Sequence, residues 1–219
     1  MTNSIYLIII IVALLIPIYL WYSFQKTKKN KVLLVGLCDA GKTTLFYKWT
    51  RHQLLDTCTS ITENIHHFKQ NNIYLVDLPG HEKLQFKLSN HLQSTKSLIF
   101  IIDATTFVKQ SVKVAESLYN LLILSEVAKF SLPVVILCNK MDSLLAFKPL
   151  KIQQILESEI NRLRKTRASD VANQADIHEE FLGYENEDFL FEHIPNKVEF
   201  IGVSVKNDDL DELRETILV

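Results

Sequence analysis

Glycine is scarce in this chain, with five in 219 residues, and so are proline, also five, and cysteine, three. Cys38, Cys58 and Cys138 lie far apart without CxxC spacing, which excludes a disulfide framework and a cysteine zinc site and fits a reducing compartment. The seven histidines form no HxxxH or HExxH pattern, and the adjacent His66 and His67 would point to opposite faces of a strand, so no histidine metal centre is expected. A basic field is also missing. With a net charge of −1 the chain lacks what phosphate-backbone binding requires, and no direct nucleic-acid partner is expected. No internal repeat or low-complexity tract is present. The length suits one domain with a proper core plus an appendage.

The charge that is present is unevenly placed. Lys26, Lys28, Lys29 and Lys31 precede the first acid, Asp39, whereas Asp170 to Glu192 holds eight acids and no Lys or Arg. Before the lysines, Ile5 to Phe24 carries no charged side chain. As a helix this run would be about 30 Å long, the thickness of a bilayer core. Tyr19, Trp21 and Tyr22 fall at the headgroup level of such a span. A cleaved signal peptide would have its positive charge before a shorter apolar core, so the pattern predicts a transmembrane helix with its lysine side cytosolic and Met1 to Ser4 across the membrane. The lysines serve as a stop-transfer flank or as contacts to anionic lipid. The expected domain plan is residues 1–24 for tail and span, 25–30 for a basic linker of about 20 Å at most, and 31–219 for the folded domain.

That domain opens with "KVLLVG", an apolar run of the kind buried in a parallel sheet, leading into "GLCDAGKT". The pattern GxxxxGK[ST] is that of a phosphate-binding loop at the start of a helix, with Gly36, Leu37, Cys38, Asp39, Ala40, Gly41, Lys42, Thr43 and Thr44 as its residues. Lys42 would reach the β and γ phosphates and the Thr43 hydroxyl would ligate Mg2+. "NIYLVDLPGH" puts Asp77 at a strand end, where its carboxylate can hold Mg2+ through water, and Gly80 three residues on, where its N–H can sense a γ-phosphate. "LPVVILCNKMD" puts Asn139, Lys140 and Asp142 at another strand end. The Asp142 carboxylate can accept the ring N–H and exocyclic amine of guanine, a donor pair adenine lacks. Three of the five glycines, Gly36, Gly41 and Gly80, fall in these loops, so glycine is reserved for close backbone approach.

"GLCDAGKT", "DLPGH", "NKMD" and the late "VSVK" resemble the Ras-like small GTPases of the Arf and Sar branch. With the amino-terminal span and "TCTSITEN", the chain resembles the beta-subunit family of the signal recognition particle receptor. The resemblance implies an α/β fold, a P-loop G domain with a mostly parallel doubly wound sheet, and GTP with Mg2+ as ligands. It implies a switch I segment at Asp56 to Asn64 with Ser60 or Thr62 as a further Mg2+ ligand, and Ser204, Val205 and Lys206 packed against the base, Val205 standing where the family has Ala. It implies a heterodimer with the receptor's alpha subunit, single-pass residence in the endoplasmic reticulum membrane with the G domain cytosolic, and an indirect link to ribosome and nascent chain. His81 stands where efficient Ras-like enzymes hold a water-orienting Gln, and can position water, contact a partner or lie exposed. Cys38 replaces a Gly and could crowd an arginine finger. Slow hydrolysis is therefore expected. Two other readings remain: a constitutively GTP-bound structural anchor, and an Arf-like traffic GTPase with an acquired span.

Strands are expected at Lys31 to Leu37, at Ile65 to Gln70 and Ile73 to Asp77 as a hairpin turning at Asn71 and Asn72, and at Ser97 to Asp103, Pro133 to Asn139 and Val198 to Val203. Helices are expected at Lys42 to Arg51, Lys83 to Ser94, Val112 to Lys129, Leu150 to Arg167 and Leu210 to Leu218. The acidic insertion, about 169–192, reads as a solvated loop or a docking surface, with Phe189, Leu190 and Phe191 pinning it to the core.

Overall fold

The computed structural model describes residues 16, 29–54, 62–80, 84–171 and 181–218. The apolar run at 5–24 other than Ile16, most of switch I including Ser60, His81, and residues 172–180 lie outside the described residues. Among the described residues no helix is long and apolar enough to cross a membrane.

Six strands form one sheet in the order β2-β3-β1-β4-β5-β6. They are β1 (Lys31–Val35), β2 (Asn64–Phe68), β3 (Ile73–Asp77), β4 (Thr95–Asp103), β5 (Val134–Asn139) and β6 (Val198–Gly202). Only β2 runs antiparallel, pairing Ile65 with Val76 through the expected hairpin. The other pairings are parallel, with Leu33 opposite both Val76 and Leu98. Helices α1 (Lys42–Arg51), α2 (Leu84–Leu92), α3 (Phe107–Leu122), α4 (Ser125–Lys129), α5 (Pro149–Val171) and α6 (Asp211–Leu218) connect them.

Successive strand residues face opposite sides, so covering both sides requires unbroken apolar runs. Leu33, Phe100 and Ile136 point to one side, where Leu118 of α3 and Ile152, Leu156 and Ile160 of α5 pack on them. Leu34, Ile99 and Leu137 point to the other, against Leu45, Phe46 and Trp49 of α1 and Leu213 and Ile217 of α6. Each fully buried Leu or Ile of this kind contributes roughly 2 kcal/mol. The doubly wound arrangement ends all the parallel strands at one rim, where ligands of open α/β sheets bind.

Several expected boundaries are corrected. The helix expected at Val112 to Lys129 starts at Phe107 and is divided at Ile123 and Leu124, the latter extended with ψ 126°. Phe107 is buried, so the helix begins early enough to bring that ring into the core, and the extended Leu124 redirects the chain towards β5. Helix α5 begins at Pro149, a position where a missing N–H costs nothing, and runs to Val171, which takes 169–171 out of the acidic insertion. Phe189 and Phe191 are buried as expected, but Leu190 between them is exposed, because extended chain alternates its side chains.

The described end of the insertion is held by Arg164 of α5, which is almost fully buried. Its guanidinium donates to the carbonyls of Leu182, Tyr184 and Glu187 and to Asn161 Oδ1, and lies 5.0 Å from the ring centroid of Phe181. A cation buried among acceptors and aromatic faces keeps its hydrogen bonds while leaving water.

Candidate functional site

The chain leaves β1 into 36–41 and enters α1 at Lys42. Gly41, the residue before the helix, has φ 96°, and a Cβ there would lie 2.4 Å from Asn139 Nδ2. Only glycine meets both the left-handed backbone and the close approach. Gly80 comes in from the end of β3; its Cβ would lie 2.9 Å from both Cys38 N and Lys42 Nζ. The DxxG and phosphate-loop backbones are therefore in near contact. Lys42 is buried, donates to Leu37 O at 2.7 Å, and has its pKa lowered by burial, with Asp77 opposing that shift. Leu37, Cys38, Asp39 and Ala40 line a cavity of about 310 Å³ between this loop and the start of α3, shared with Asp103, Phe107 and Lys140.

At the inner end of the loop Thr43 Oγ1 donates to Asp77 Oδ2 at 2.8 Å, and Asn64 Nδ2 donates to the same oxygen at 3.1 Å. Asp77 is fully buried, and its other oxygen, Oδ1, has no protein partner. Burial pushes the Asp77 carboxyl up, against the hydrogen bonds from Thr43 and Asn64. A buried carboxylate with one uncommitted oxygen beside a hydroxyl is a donor set suited to a hard divalent cation, so the residues fit Mg2+. Of the two switch I candidates, Thr62 is described and exposed.

Asn139 is buried at the end of β5 and ties three loops together. Its Nδ2 donates to Ala40 O at 3.0 Å, while its Oδ1 accepts from Lys140 N at 2.7 Å and Val205 N at 3.3 Å. Lys140, with φ 68°, sends its Nζ to Asp103 Oδ2 at 2.7 Å and Asp39 O at 3.3 Å. Ser204 Oγ donates to Asp142 Oδ1 at 2.7 Å, and this bond holds the exposed Asp142 carboxyl below its usual range. Val205 turns its side chain into the core with Leu210 and Leu213, so the extra bulk over Ala fills the interior and leaves the loop in place. Lys206 is exposed.

Lys42, Thr43, Asp77, Gly80, Asn139, Lys140, Asp142 and Ser204 therefore gather at one rim, from four separate stretches of chain. The sequence model of the signal recognition particle receptor beta subunit matches residues 27–198. The chain belongs to that family. The beta subunit of the signal recognition particle receptor from Mus musculus is 38% identical over 206 residues, covering 90% of this chain and 77% of the mouse protein. A solved structure of the mammalian signal recognition particle receptor superposes with a TM-score of 0.76 at 39% identity, over 86% of this chain and 98% of that one. The receptor protein SRb-GDP-Mg from Chaetomium thermophilum gives a TM-score of 0.69 at 25% identity, over 89% of this chain and 98% of that one. The sheet and its helices are those of a Ras-like G domain.

Two residues of this beta-subunit family site escaped the motif reading. Asp103 belongs to no motif and Asn64 entered only as the last residue of the switch I segment, yet one holds Lys140 and the other holds Asp77. Asp103 carried a usable signal: it is a carboxylate ending an apolar strand at the ligand rim. Asn64 carried none.

Proposed function

We propose that this chain is the membrane-anchored GTP-binding subunit of a signal recognition particle receptor, binding the alpha subunit in a GTP-dependent manner during co-translational targeting to the endoplasmic reticulum. The observation that carries this reading is the Asn139 side chain, which fastens the phosphate loop at Ala40 to the base-recognition loops at Lys140 and Val205. Family membership, and the GDP and magnesium named for the Chaetomium relative, support GTP and Mg2+ as ligands.

The residues divide the work. Asp142 accepts the two donors of guanine, and Ser204 fixes that carboxylate while leaving it lone pairs to use. The stem of Lys140, held at its tip by Asp103 and Asp39, forms a platform for the purine. Backbone N–H groups from Gly36 to Thr44 and the Lys42 ammonium receive phosphates. Thr43 and Asp77, with a hydroxyl from Ser60 or Thr62, would hold Mg2+, which supplies charge neutralisation at the phosphate oxygens. Gly80, whose backbone nearly touches the phosphate loop, can report the third phosphate through its N–H.

The domain plan is a short lumenal tail and single span in 1–24, a basic linker in 25–30, and a cytosolic G domain in 31–219, with the ribosome and nascent chain linked indirectly through the alpha subunit. Capture of the alpha subunit by the full chain loaded with GTP or GDP tests the function; equal capture in both states defeats it. A second reading, a constitutively GTP-bound anchor, is favoured by the half-buried Cys38 side chain flanking the phosphate loop and by His81 in place of Gln. Single-turnover hydrolysis with and without partner separates the two: a stimulated rate supports a cycling switch, and persistent GTP supports the anchor.

A further inference from the structure

Strand β2 is the antiparallel edge of the sheet, and its first residue, Asn64, lies directly opposite Asp77, the last residue of β3. Opposed residues of an antiparallel pair point to the same face, with Cβ atoms about 5 Å apart. On that face Ile73 and Leu75, which alternate with Asp77 along β3, pack in the cluster that holds Leu45, Phe46 and Trp49 of α1. The register therefore aims Asn64 and Asp77 at the helix whose first turn carries Thr43.

Among the described residues, the Asp77 carboxylate accepts from Thr43 Oγ1 at 2.8 Å and Asn64 Nδ2 at 3.1 Å, both on Oδ2, and from no group on Oδ1. The two donors differ in kind. Thr43 belongs to the phosphate loop, and its hydroxyl gives its hydrogen to Asp77 while its lone pairs are what a metal would take. Asn64 has no part in the phosphate loop or the base-recognition loops and acts on the carboxylate alone. Lys42, the nearby cation, attracts Asp77 through its charge and gives its hydrogen bond to Leu37 O. A carboxylate held by one donor can turn about that contact, whereas two donors converging on one oxygen fix which oxygen is left uncommitted.

The chain before Asn64 is fastened as well. Glu63 Oε2 lies 3.0 Å from His91 Nε2, and Lys31 Nζ lies 3.2 Å from His91 Nδ1. A lysine ammonium only donates, so the ring hydrogen is on Nε2 and points to Glu63. Residue 63 is thus tied to the last turn of α2 and residue 64 to Asp77.

We infer that Asn64 is a positioning residue for magnesium: by holding Asp77 Oδ2 it keeps Oδ1 uncommitted for the metal or its water, and so sets Mg2+ affinity while touching neither metal nor nucleotide. The inference rests on the reading of Thr43 and Asp77 as the Mg2+ pair. Groups that orient a metal's ligands from outside its coordination sphere change metal affinity by about 10- to 100-fold when removed. Bound nucleotide therefore feels the loss of Asn64 only through the metal.

The test is release of fluorescent GDP from the full-length protein in detergent across buffered free Mg2+, for wild type, Asn64→Leu, Asp77→Asn and the double variant. Leucine matches asparagine in size and donates nothing. Release slows as Mg2+ rises, and the midpoint reports Mg2+ affinity. Asn64→Leu is expected to raise that midpoint about tenfold and to leave release in EDTA within about twofold of wild type. In the Asp77→Asn background the same change should move the remaining Mg2+ dependence by less than about twofold, because the group it acts through is gone. An unmoved midpoint would overturn the inference. So would equal acceleration with and without Mg2+, since Asn64 would then serve the fold and not the metal. Asn64→Ala, read by the same two criteria, replaces the leucine variant if that variant does not fold. A wild type whose GDP release ignores Mg2+ defeats the reading of Thr43 and Asp77 and this inference with it, whereas a magnesium-dependent wild type with an unmoved variant defeats the inference alone.

Discussion

Ser204 and Asp142, 62 residues apart, share a 2.7 Å hydrogen bond in which the serine hydroxyl donates to the carboxylate. A carboxylate exposed to water would otherwise sample several rotamers. Asn207 N donates to the same hydroxyl at 3.2 Å and fixes the direction of the serine. The carboxylate proposed to read the base is thus oriented by a neighbouring loop before any ligand arrives.

Ser204→Ala is expected to weaken GDP binding about fivefold, the equivalent of about 1 kcal/mol for a part-buried hydrogen bond to a charged group. Fluorescent GDP titration measures it. Asp142→Asn is expected to move preference from guanosine to xanthosine nucleotides, because the new amide donates where the carboxylate accepted. An unchanged preference would remove Asp142 from base reading.

Asn139→Ala leaves the Ala40 carbonyl and the Val205 N–H without this partner in a buried setting. A loss of about 3 kcal/mol in urea unfolding of nucleotide-free protein is expected, together with faster nucleotide release. A loss below about 1 kcal/mol would mean that the three loops do not depend on this one side chain.

Asp77→Asn is expected to separate stability from function. The native carboxylate is fully buried with one oxygen lacking a protein partner, so its charge is costly in the nucleotide-free protein. The variant should therefore melt at an equal or higher temperature without nucleotide, yet lose the stabilisation that Mg2+ and GDP give the wild type. Thermal melts with and without the ligands check both halves.

The Asp103 carboxyl is held below its usual range: burial would raise it, but hydrogen bonds from Lys140 and Thr105 together prevail. A depressed folded pKa contributes stability that is present above the unfolded value of about 3.9 and lost as pH falls through the folded pKa. The stability difference between wild type and Asp103→Asn should be level from neutral pH down to about pH 5 and should close below about pH 4. Nucleotide release from Asp103→Asn should also be faster, since Lys140 loses its anchor. In a Lys140→Met background the substitution should change release little.

Arg164→Met removes the donor to three carbonyls and is expected to cost about 3 kcal/mol. Limited proteolysis should then cut within 181–190. GDP affinity should be unaffected, because none of the nucleotide loops bonds to this guanidinium.

Much of the domain was legible because its signals are local. The unbroken apolar runs of β1, β4 and β5 announce strands covered on both faces, and Asn71 and Asn72 announce the hairpin turn, where Asn72 takes φ 52°. Helix α1 was placed to the residue by the phosphate-loop pattern. The division of α3 from α4 was not legible, since Ile123 and Leu124 continue the helical apolar pattern and only the route to β5 breaks it. Leu190 was misplaced for a similar reason: three consecutive apolar residues do not tell which one extended chain will turn outward.

By itself the sequence determined which chemical groups each loop carries, because the spacing of Gly, Lys, Thr and Asp within a loop sets what backbone and side chain can present. Which groups hold those loops in place was decided only by the tertiary structure. Asn64, Asp103 and the Ser204 hydroxyl act across the fold, and the partner of a side chain 37 or 62 residues away is set by strand order and not by neighbouring sequence.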